Sequence, residues 1–471
     1  MKYTLKKFKE RNLDFKEMDN QTEVLQKLLD REPNEKALRA IMDFQEENGN
    51  FGYIDPKGAP SDARVDFYYT PTYLCTATLM KSFLQGIPKG IGAAELEDSL
   101  RRGLKASIGR KFEGHGIHGV EDAADILQRG GSEDFVTDHP DFCPEFTEVY
   151  REKVSFPVFV YGTLLQGRSN HGLLEEASYA HFETRGRLEG YALYDLGSYP
   201  GIKPWRGEKV LGEVYRVNLE TLKRLDQLEG EGSLYRRKWV RILTAQGREL
   251  DAYAYIYMHR IDPADRIPVS KQPYGSDREL VWYVTYGSNM MHQRMMCYIQ
   301  GGIGPNGVEY PGCTDGRMPF ATKGLILPYE RYFAKASPSW EGKGVAFLDL
   351  EAKGRTMCRA YLITRDQLKE IQSQEGAGWY DRVAPLKDLP VFEGIPAVTI
   401  TGDWREEEQE PSDRYLSVIE QGEEETERLI RRQREREDRE EKRRAQMRGR
   451  RQKHRMKKVD LSSLENSRWK S

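Results

Sequence analysis

Long apolar runs are absent from this chain of 471 residues. No stretch of about 18 apolar residues occurs, which argues against a membrane-spanning helix. The opening segment, MKYTLKKFKERNLDF, is basic but is not followed by the apolar core of an export signal. We therefore expect a cytoplasmic protein without membrane contact.

Cysteine is scarce as well, with 5 residues that are odd in number and widely scattered: Cys75, Cys143, Cys297, Cys313 and Cys358. A disulfide framework or a zinc site needs paired or clustered cysteines, and this spacing offers neither. The pattern is typical of reduced intracellular thiols.

A net charge is also missing, because 73 Lys and Arg residues balance 75 Asp and Glu residues. The balance provides no overall attraction to nucleic acid. Only the C-terminal segment is unusual, since it turns from acidic to basic and holds no acidic residue between Lys442 and Lys458. It predicts a solvated helix with i,i+4 ion pairs that frays into a disordered tail. Contact with nucleic acid or with an acidic protein is the alternative, which the lack of interleaved aromatic residues disfavours.

What the chain does contain is enough length and apolar content, 38%, for several packed cores. Residues up to about 152 show mainly helical spacing, as at Val24, Leu25, Leu28 and Leu29. We expect a helical domain there, with a linker in the proline-interrupted stretch TDHPDFCPEF.

The most informative segment begins at Phe156 with FPVFVYGTLLQG. Its β-branched and aromatic run ends at Gly162, which is typical of a buried strand that delivers a tight turn. The glycine lets the backbone approach a ligand closely, and the amides of Thr163 and Leu164 could hold an oxyanion or a carboxylate.

A helix is predicted further along this segment, in NLETLKRLDQLEG. Leu222, Leu225 and Leu228 recur at helical spacing, and Gly230 stands where a helix stop is expected. Glu229 would be the last side chain of this helix. The partial negative charge of a helix C-terminus opposes ionisation of a carboxylate and should raise its pKa, so Glu229 could accept and return a proton near neutral pH.

Together these motifs resemble the gamma-glutamylcyclotransferase superfamily. The similarity rests on VFVYGTL, SNH at residues 169–171, GEVYRV, LDQLEG and LYRR in this order, and it is closest to the gamma-glutamylamine cyclotransferase branch. It implies a small mixed β-barrel with a cavity, in which the backbone of the YGTL turn binds a glutamyl group. It also implies that Glu229 moves protons while the α-amine of the substrate attacks its own γ-carbonyl, which yields 5-oxoproline and a free amine.

That reaction needs neither a nucleophilic side chain nor a metal or organic cofactor, because nucleophile and electrophile belong to one molecule. The enzyme has to fold the substrate and transfer one proton. The substrate-binding residues that the resemblance implies in this copy are Tyr161, Gly162, Thr163, Leu164 and Tyr235. His171 could bind substrate as well, or cap the segment that follows it.

A second copy of the pattern begins near Glu279. LVWYVTYGSNM mirrors the first strand and turn, and CRAYLITRDQLKEIQSQEGAGWYDR repeats the order of strand, helix, Glu-Gly and aromatic residues. This copy resembles another branch of the same superfamily, with a longer insert in QGGIGPNGVEYPGCTDGRMPF. Glu375 is the implied proton carrier, Trp340 could line the pocket, and the implied substrate-binding residues are Tyr286, Gly287, Ser288, Asn289, Ser337 and Tyr380.

Two other groups of reactive residues have plainer explanations. His115 and His118 could bind a metal with a neighbouring carboxylate, but the glycines around them favour a polar turn, so we expect no metal site. Cys297 and His292 could form a nucleophilic pair, but MMHQRMMCYI has the spacing of a methionine-rich packed helix.

The expected architecture is a multidomain α+β protein. It has a helical N-terminal domain (residues 1–152), two tandem gamma-glutamylcyclotransferase-like mixed β-barrels (153–277 and 278–422) and a charged helical or disordered tail (423–471). The expected function is cleavage of a γ-glutamyl amide or isopeptide with Glu229 and Glu375 as general acid/base. One alternative is a non-catalytic binding or scaffold protein whose pockets recognise a glutamyl-like ligand. Another keeps the enzyme but has it remove a γ-glutamyl protecting group from a specialised metabolite.

Overall fold

The computed structural model describes residues 15–32, 34–51, 61–108, 120–177, 179–276, 279–376, 378–386, 394–403 and 405–467. The chain divides into two compact units. The first comprises Met1–Val158, Leu174–His181 and Tyr215–Glu231, and the second comprises Phe159–Leu173, Phe182–Val214 and Gly232–Ser471. No helix within the described ranges is both long and apolar enough to cross a membrane. His115 and His118, the predicted polar turn, lie outside the described residues.

Helices make up most of the described chain before the first strand, as the spacing predicts. Their bounds are α1 (Phe15–Leu29), α2 (Glu35–Phe44), α3 (Ser61–Gln85), α4 (Ala93–Ser107), α5 (Val120–Arg129), α6 (Ser132–Asp138) and α7 (Pro144–Lys153). Local sequence explains how α2 begins: the side chain of Asn34 accepts a hydrogen bond from the Ala37 N–H at 3.0 Å, which caps the helix. The apolar residues of α2 recur at helical spacing and are buried.

The predicted linker is wrong, because it belongs to the helical core. Phe142, between α6 and α7, packs its ring against Phe83 and Phe135 with centroids 5.2 and 5.3 Å apart. Edge-to-face contacts of this kind bury large apolar area. His139 and Cys143 therefore flank a packed corner between two helices, and α7 continues to Lys153.

A six-stranded sheet follows, in the strand order β3-β1-β5-β4-β2-β6. Its strands are β1 (Phe156–Val160), β2 (Ala180–Asp195), β3 (Pro200–Val217), β4 (Tyr235–Thr244), β5 (Glu249–Tyr257) and β6 (Arg266–Ile267). Every residue of β1 is buried, as predicted for the strand that delivers the turn. Helix α8 (Gly172–Glu175) follows β1, and α9 (Leu219–Glu229) follows β3.

Helix α9 begins and ends as predicted, but fewer of its leucines are buried than the sequence pattern predicted. Asn218 caps its first turn, and Gly230 ends it in the left-handed region at φ 59°. Leu222 and Leu225 are buried, whereas Leu228 is 40% exposed. Three residues turn a helix by about 300°, so each successive leucine falls about 60° short of a full turn and the third leaves the buried face.

Helix α9 lies in the first unit, although we predicted it within the first barrel domain. There its Lys223 forms an ion pair with the buried Glu133 of α6 at 3.5 Å. An ion pair between residues so far apart in sequence is not visible in a local pattern.

The second sheet has five strands in the order β10-β11-β7-β13-β12. The strands of this region are β7 (Leu280–Thr285), β8 (Gly302–Ile303), β9 (Glu309–Tyr310), β10 (Ala321–Ser337), β11 (Lys343–Thr364), β12 (Arg382–Pro385) and β13 (Ala397–Thr401), of which β8 and β9 pair separately within the predicted insert. Helices α10 (His292–Gln300) and α11 (Arg365–Glu375) complete it. The methionine-rich helix is therefore confirmed as α10.

The prediction that the charged tail is solvated along its whole length is wrong. Helix α12 (Asp413–Ser467) runs without a break through Gly422. Its apolar face repeats every three to four residues and packs on the second unit, with Tyr415, Ile419, Thr426 and Leu429 all buried. Glu425 forms an ion pair with the buried Arg359 at 2.6 Å. The first turns of the charged segment therefore dock on the second unit.

Candidate active site

A cavity of about 300 Å³ lies in the second unit, beside the turn that follows β7. This volume is at the lower end of what small-molecule sites require, about 300 to 1,000 Å³. It is lined by each residue that the sequence analysis assigned to the second copy: Tyr286, Gly287, Ser288, Asn289, Ser337, Glu375 and Tyr380, together with Trp340. The fold thus brings these residues together from three separate stretches of sequence.

Glu375 is held against the turn by a hydrogen bond. It is the last residue of α11, and the side-chain amide of Asn289 donates to its Oε1 at 2.9 Å. The other end of α11 is fixed by a capping box between Thr364 and Gln367. The carboxylate and the turn therefore keep one geometry at the cavity wall.

The turn itself leaves two backbone donors for a ligand. A Cβ on Gly287 would come within 3.1 Å of the Ala346 side chain, so glycine permits close packing here. In the described part of the chain, no hydrogen bond engages the N–H groups of Ser288 and Asn289. Two adjacent N–H groups of this kind are suited to an oxyanion or a carboxylate.

Arg294 is a site residue to which the sequence analysis assigned no role. It is buried in α10 and donates hydrogen bonds of 2.9 Å to the hydroxyl oxygens of Ser288, Tyr298 and Tyr310. Its guanidinium also lies 5.3 Å from the Trp340 ring centroid. In the sequence, Arg294 is a single cation in a run of methionines, and this pattern is equally consistent with an exposed arginine.

Tyrosine hydroxyls dominate the rest of the cavity wall. Burial raises the pKa of Tyr286, Tyr298 and Tyr380 well above the usual range. These groups therefore remain protonated at neutral pH and act as neutral donors. Tyr310, which lines the same wall, comes from the predicted insert.

The first turn, after β1, has the same features. A Cβ on Gly162 would meet the Pro200 ring at 2.5 Å, and in the described residues no hydrogen bond engages the N–H groups of Thr163 and Leu164. His171 is buried, with Nδ1 2.9 Å from the Leu164 carbonyl. His171 therefore supports the turn, a role that the sequence analysis did not predict.

Glu229 ends α9 in the first unit, where its side chain is half-buried. Burial raises its pKa to about 7. The direction of this pKa shift is the one that the sequence analysis predicted. Its cause, however, is loss of solvent and not the partial negative charge of the helix C-terminus. A carboxyl group with this pKa can both accept and return a proton at neutral pH.

Two tyrosine hydrogen bonds recur in both copies of the pattern. The residue before the glycine donates to a strand carbonyl in each case, Tyr161 to Tyr255 at 2.5 Å and Tyr286 to Ile400 at 2.8 Å. A tyrosine that follows the Glu-Gly pair by a few residues also donates to a backbone carbonyl: the Tyr235 hydroxyl donates to the Pro200 carbonyl at 2.5 Å, and that of Tyr380 donates to the Ala346 carbonyl at 3.0 Å. These four hydroxyls therefore order the backbone around each turn.

The alternative pair of Cys297 and His292, which the sequence disfavoured, is not assembled. The two residues are five positions apart on α10, so they point about 140° apart around the helix. The Cys297 thiol contacts the Ile303 carbonyl at 3.6 Å. Burial lowers the pKa of His292 to about 4, so its ring is neutral at pH 7. All five cysteines are free thiols.

Comparison with known proteins points to one family. Residues 158–275 match the family model described as Gamma-glutamyl cyclotransferase, AIG2-like. A gamma-glutamylcyclotransferase family protein of Escherichia coli is 36% identical over 111 residues, which is 22% of this chain and 85% of that protein. A gamma-glutamylaminecyclotransferase of Bos taurus is 41% identical over 88 residues, 17% of this chain and 52% of that protein. Among solved structures, an AIG2-like protein from Mus musculus is 28% identical with a TM-score of 0.22, covering 24% of this chain and 82% of that one.

Proposed function

Because the chain belongs, through residues 158–275, to the gamma-glutamyl cyclotransferase, AIG2-like family, we propose that it cleaves a γ-glutamyl amide or isopeptide and releases 5-oxoproline. The observation that carries this proposal is Glu229, a carboxyl group within the matched segment whose pKa burial raises to about 7. Catalysis of proton transfer is most effective when the pKa lies near the working pH.

In this mechanism the substrate supplies both reacting groups. Its α-amine attacks its own γ-carbonyl carbon, and the new C–N bond closes a five-membered ring. The carbonyl oxygen becomes an oxyanion, which backbone N–H donors can stabilise. Glu229 takes the proton from the attacking amine and returns it to the departing nitrogen as the original amide C–N bond breaks. The products are 5-oxoproline and a free amine, and atoms and charge balance without a further reactant.

We further propose that residues 278–422 form a second cyclotransferase-like domain with its own site. The repeated tyrosine-to-carbonyl hydrogen bonds and the glycine turns of both copies support this duplication. In the second site Glu375 transfers the proton, and the N–H groups of Ser288 and Asn289 stabilise the oxyanion. In this second site the proposed reaction would take place in the cavity of about 300 Å³.

The amine leaving group is the open part of this proposal. The name of the Bos taurus relative makes γ-glutamyl amines the first substrates to test. A γ-glutamyl group that protects a specialised metabolite would undergo the same chemistry. Both choices use the same ring closure, so they differ only in what lies beyond the γ-carbonyl.

The test measures 5-oxoproline released from a panel of γ-glutamyl amines. It compares the wild type with Glu229→Gln, Glu375→Gln, the double variant and Glu220→Gln, a control on the exposed face of α9. We expect each single variant to lose at least about 100-fold in the turnover of its own site, and the control to lose nothing. Full activity in the double variant would refute the mechanism. Saturable binding without release in the wild type would instead indicate a binding protein.

A further inference from the structure

A second cavity, of about 260 Å³, lies in the second unit behind the turn that follows β1. Its mouth is at the exposed Gln166 and Gly167, and its walls include Arg168, Arg185 and Arg317. Neither the proposed reaction nor the predicted site residues use this space.

Arg185 is an unusual residue to find in such a wall, because its side chain is only 1% exposed. Its guanidinium lies 4.2 Å from the Phe320 ring centroid, and Nη1 donates to the Met318 carbonyl at 3.1 Å. Its Nε is buried and has no hydrogen-bond partner among the described atoms, since the nearest carboxylate oxygen, on Glu213, is 3.8 Å away. A buried donor without an acceptor costs free energy, which an anion in the cavity would offset.

Among the described residues that line the cavity, Arg168, Arg185 and Arg317 are the cations and Glu213 is the carboxylate, with Asp315 paired to Arg185 and Arg317. Arg317 is fully compensated, since Nε and Nη2 donate to Asp315 at 2.7 and 2.8 Å and Nη1 donates to Glu213 at 3.1 Å. Arg168, in contrast, is paired with no carboxylate in the described part of the chain, and its guanidinium lies over the backbone of Gly275. Among the described residues, Arg185 and Arg317 thus share the carboxylates of Glu213 and Asp315, and Arg168 pairs with neither. Burial and then the charge of Arg317 lower the pKa of Arg185 to about 10, although Asp315 at 3.5 Å and Glu213 at 3.8 Å oppose that shift.

We propose that this cavity binds a small oxyanion, the carboxylate or phosphate group of a metabolite, between Arg168 and Arg185. Guanidinium groups recognise both anions through paired N–H donors. The space suits a small anion, because the volume is below that of most drug-sized ligand sites.

Ligand binding here would reach the first turn through Glu213. This carboxylate accepts a hydrogen bond from the Gln166 N–H at 3.0 Å, and the neighbouring Leu165 N–H donates to the Gly162 carbonyl at 3.0 Å. A bound anion competes with Glu213 for Arg317 and so alters the support of that turn. This consequence rests on the proposed function, whereas the binding itself does not.

The test is calorimetric titration of the full chain with inorganic phosphate and, separately, with malonate, in a buffer free of other oxyanions. It compares the wild type with Arg168→Gln and with Arg260→Gln, which removes an exposed arginine elsewhere on the second unit. We expect saturable binding of one anion per chain, weakened at least about tenfold by Arg168→Gln and unchanged in the control. The Glu229→Gln and Glu375→Gln variants should bind as the wild type does, which separates this cavity from the proposed active sites.

Besides the absence of binding, two outcomes would overturn the inference. One is a heat that does not saturate and is equal in all variants, because this indicates general ionic-strength effects only. The other is binding that the Glu variants abolish, because the anion would then occupy an active site. Where binding depends on Arg168, the tighter of the two probes identifies the ligand as a phosphate or a carboxylate. An enzyme that releases 5-oxoproline but binds neither probe would keep the proposed function and refute only this site.

Discussion

The charge on Glu229 should make the stability of α9 depend on pH. Its pKa lies at about 7 instead of the ordinary 4.5, because the half-buried carboxylate has lost solvent. At about 1.36 kcal/mol per pKa unit, ionisation in the folded state costs roughly 3 kcal/mol, and less to the extent that the remaining solvent screens it. A Glu229→Gln variant carries no such cost.

The sign follows from which state holds the proton. Below about pH 4.5 both folded and unfolded chains carry protonated Glu229, and the wild type has its full stability. As the pH rises, the unfolded chain loses this proton first, so the folded state is progressively disfavoured until its own carboxyl ionises near pH 7. The free energy of unfolding of the wild type, relative to Glu229→Gln, should therefore fall by up to roughly 3 kcal/mol between about pH 4.5 and pH 8.5.

Hydrogen exchange measured by mass spectrometry can follow this difference locally, in peptides that cover residues 219–229. The protection of these amides yields an opening free energy without requiring the whole chain to unfold in one step. Glu220→Gln, at the exposed start of the same helix, serves as the matched control. If the difference between wild type and Glu229→Gln is the same at about pH 5 and pH 8.5, the raised pKa is refuted.

Three further predictions concern the second unit and the two turns. Asn289→Ala should lower turnover at the second site by roughly tenfold or more without unfolding the chain, because the carboxylate loses its 2.9 Å hydrogen bond; unchanged kcat with the first site silenced would contradict this. Gly162→Ala should lower the free energy of thermal unfolding by about 1 to 3 kcal/mol, because the added Cβ would meet the Pro200 ring at 2.5 Å. Gly287→Ala should cost less, because its Cβ would meet the Ala346 methyl group at 3.1 Å. Equal costs for the two variants would argue against this packing. Glu425→Gln should destabilise the second unit by roughly 2 kcal/mol, because the buried Arg359 loses its 2.6 Å ion pair, and an unchanged melting temperature would show that α12 does not dock there.

Elements with a strong local signal were predictable from the sequence. The buried strand before Gly162, the capped helix that ends at Glu229 and the methionine-rich helix α10 each follow from hydrophobic period and end signals within a dozen residues. The docked turns of α12 beyond Gly422 were missed, since their buried face alternates with charged residues. These charges favour the prediction of a solvated helix, whereas in the structure Glu425 forms an ion pair with the buried Arg359.

The candidate site likewise has residues that the sequence predicted and residues that it did not. Motif order assigned the two turns and both glutamates, and the structure gathers the residues of the second set around one cavity. Arg294 and Tyr310 were not assigned, because a lone arginine in a helix and a tyrosine in a glycine-rich insert carry no signal until their partners are known. The recurring tyrosine-to-carbonyl hydrogen bonds were equally hidden, since each joins residues that are distant in sequence.

The sequence by itself determined which backbone segments turn, which helices end in a glutamate and which chemistry those residue types allow, because these are properties of neighbours along the chain. Only the tertiary structure decided the burial that raises the pKa of Glu229, the hydrogen bond that holds Glu375 to Asn289 and the burial of the Arg185 Nε without a hydrogen-bond partner among the described atoms. Solvent exclusion and charge pairing depend on residues that are distant in sequence and adjacent in space. No local pattern encodes that proximity.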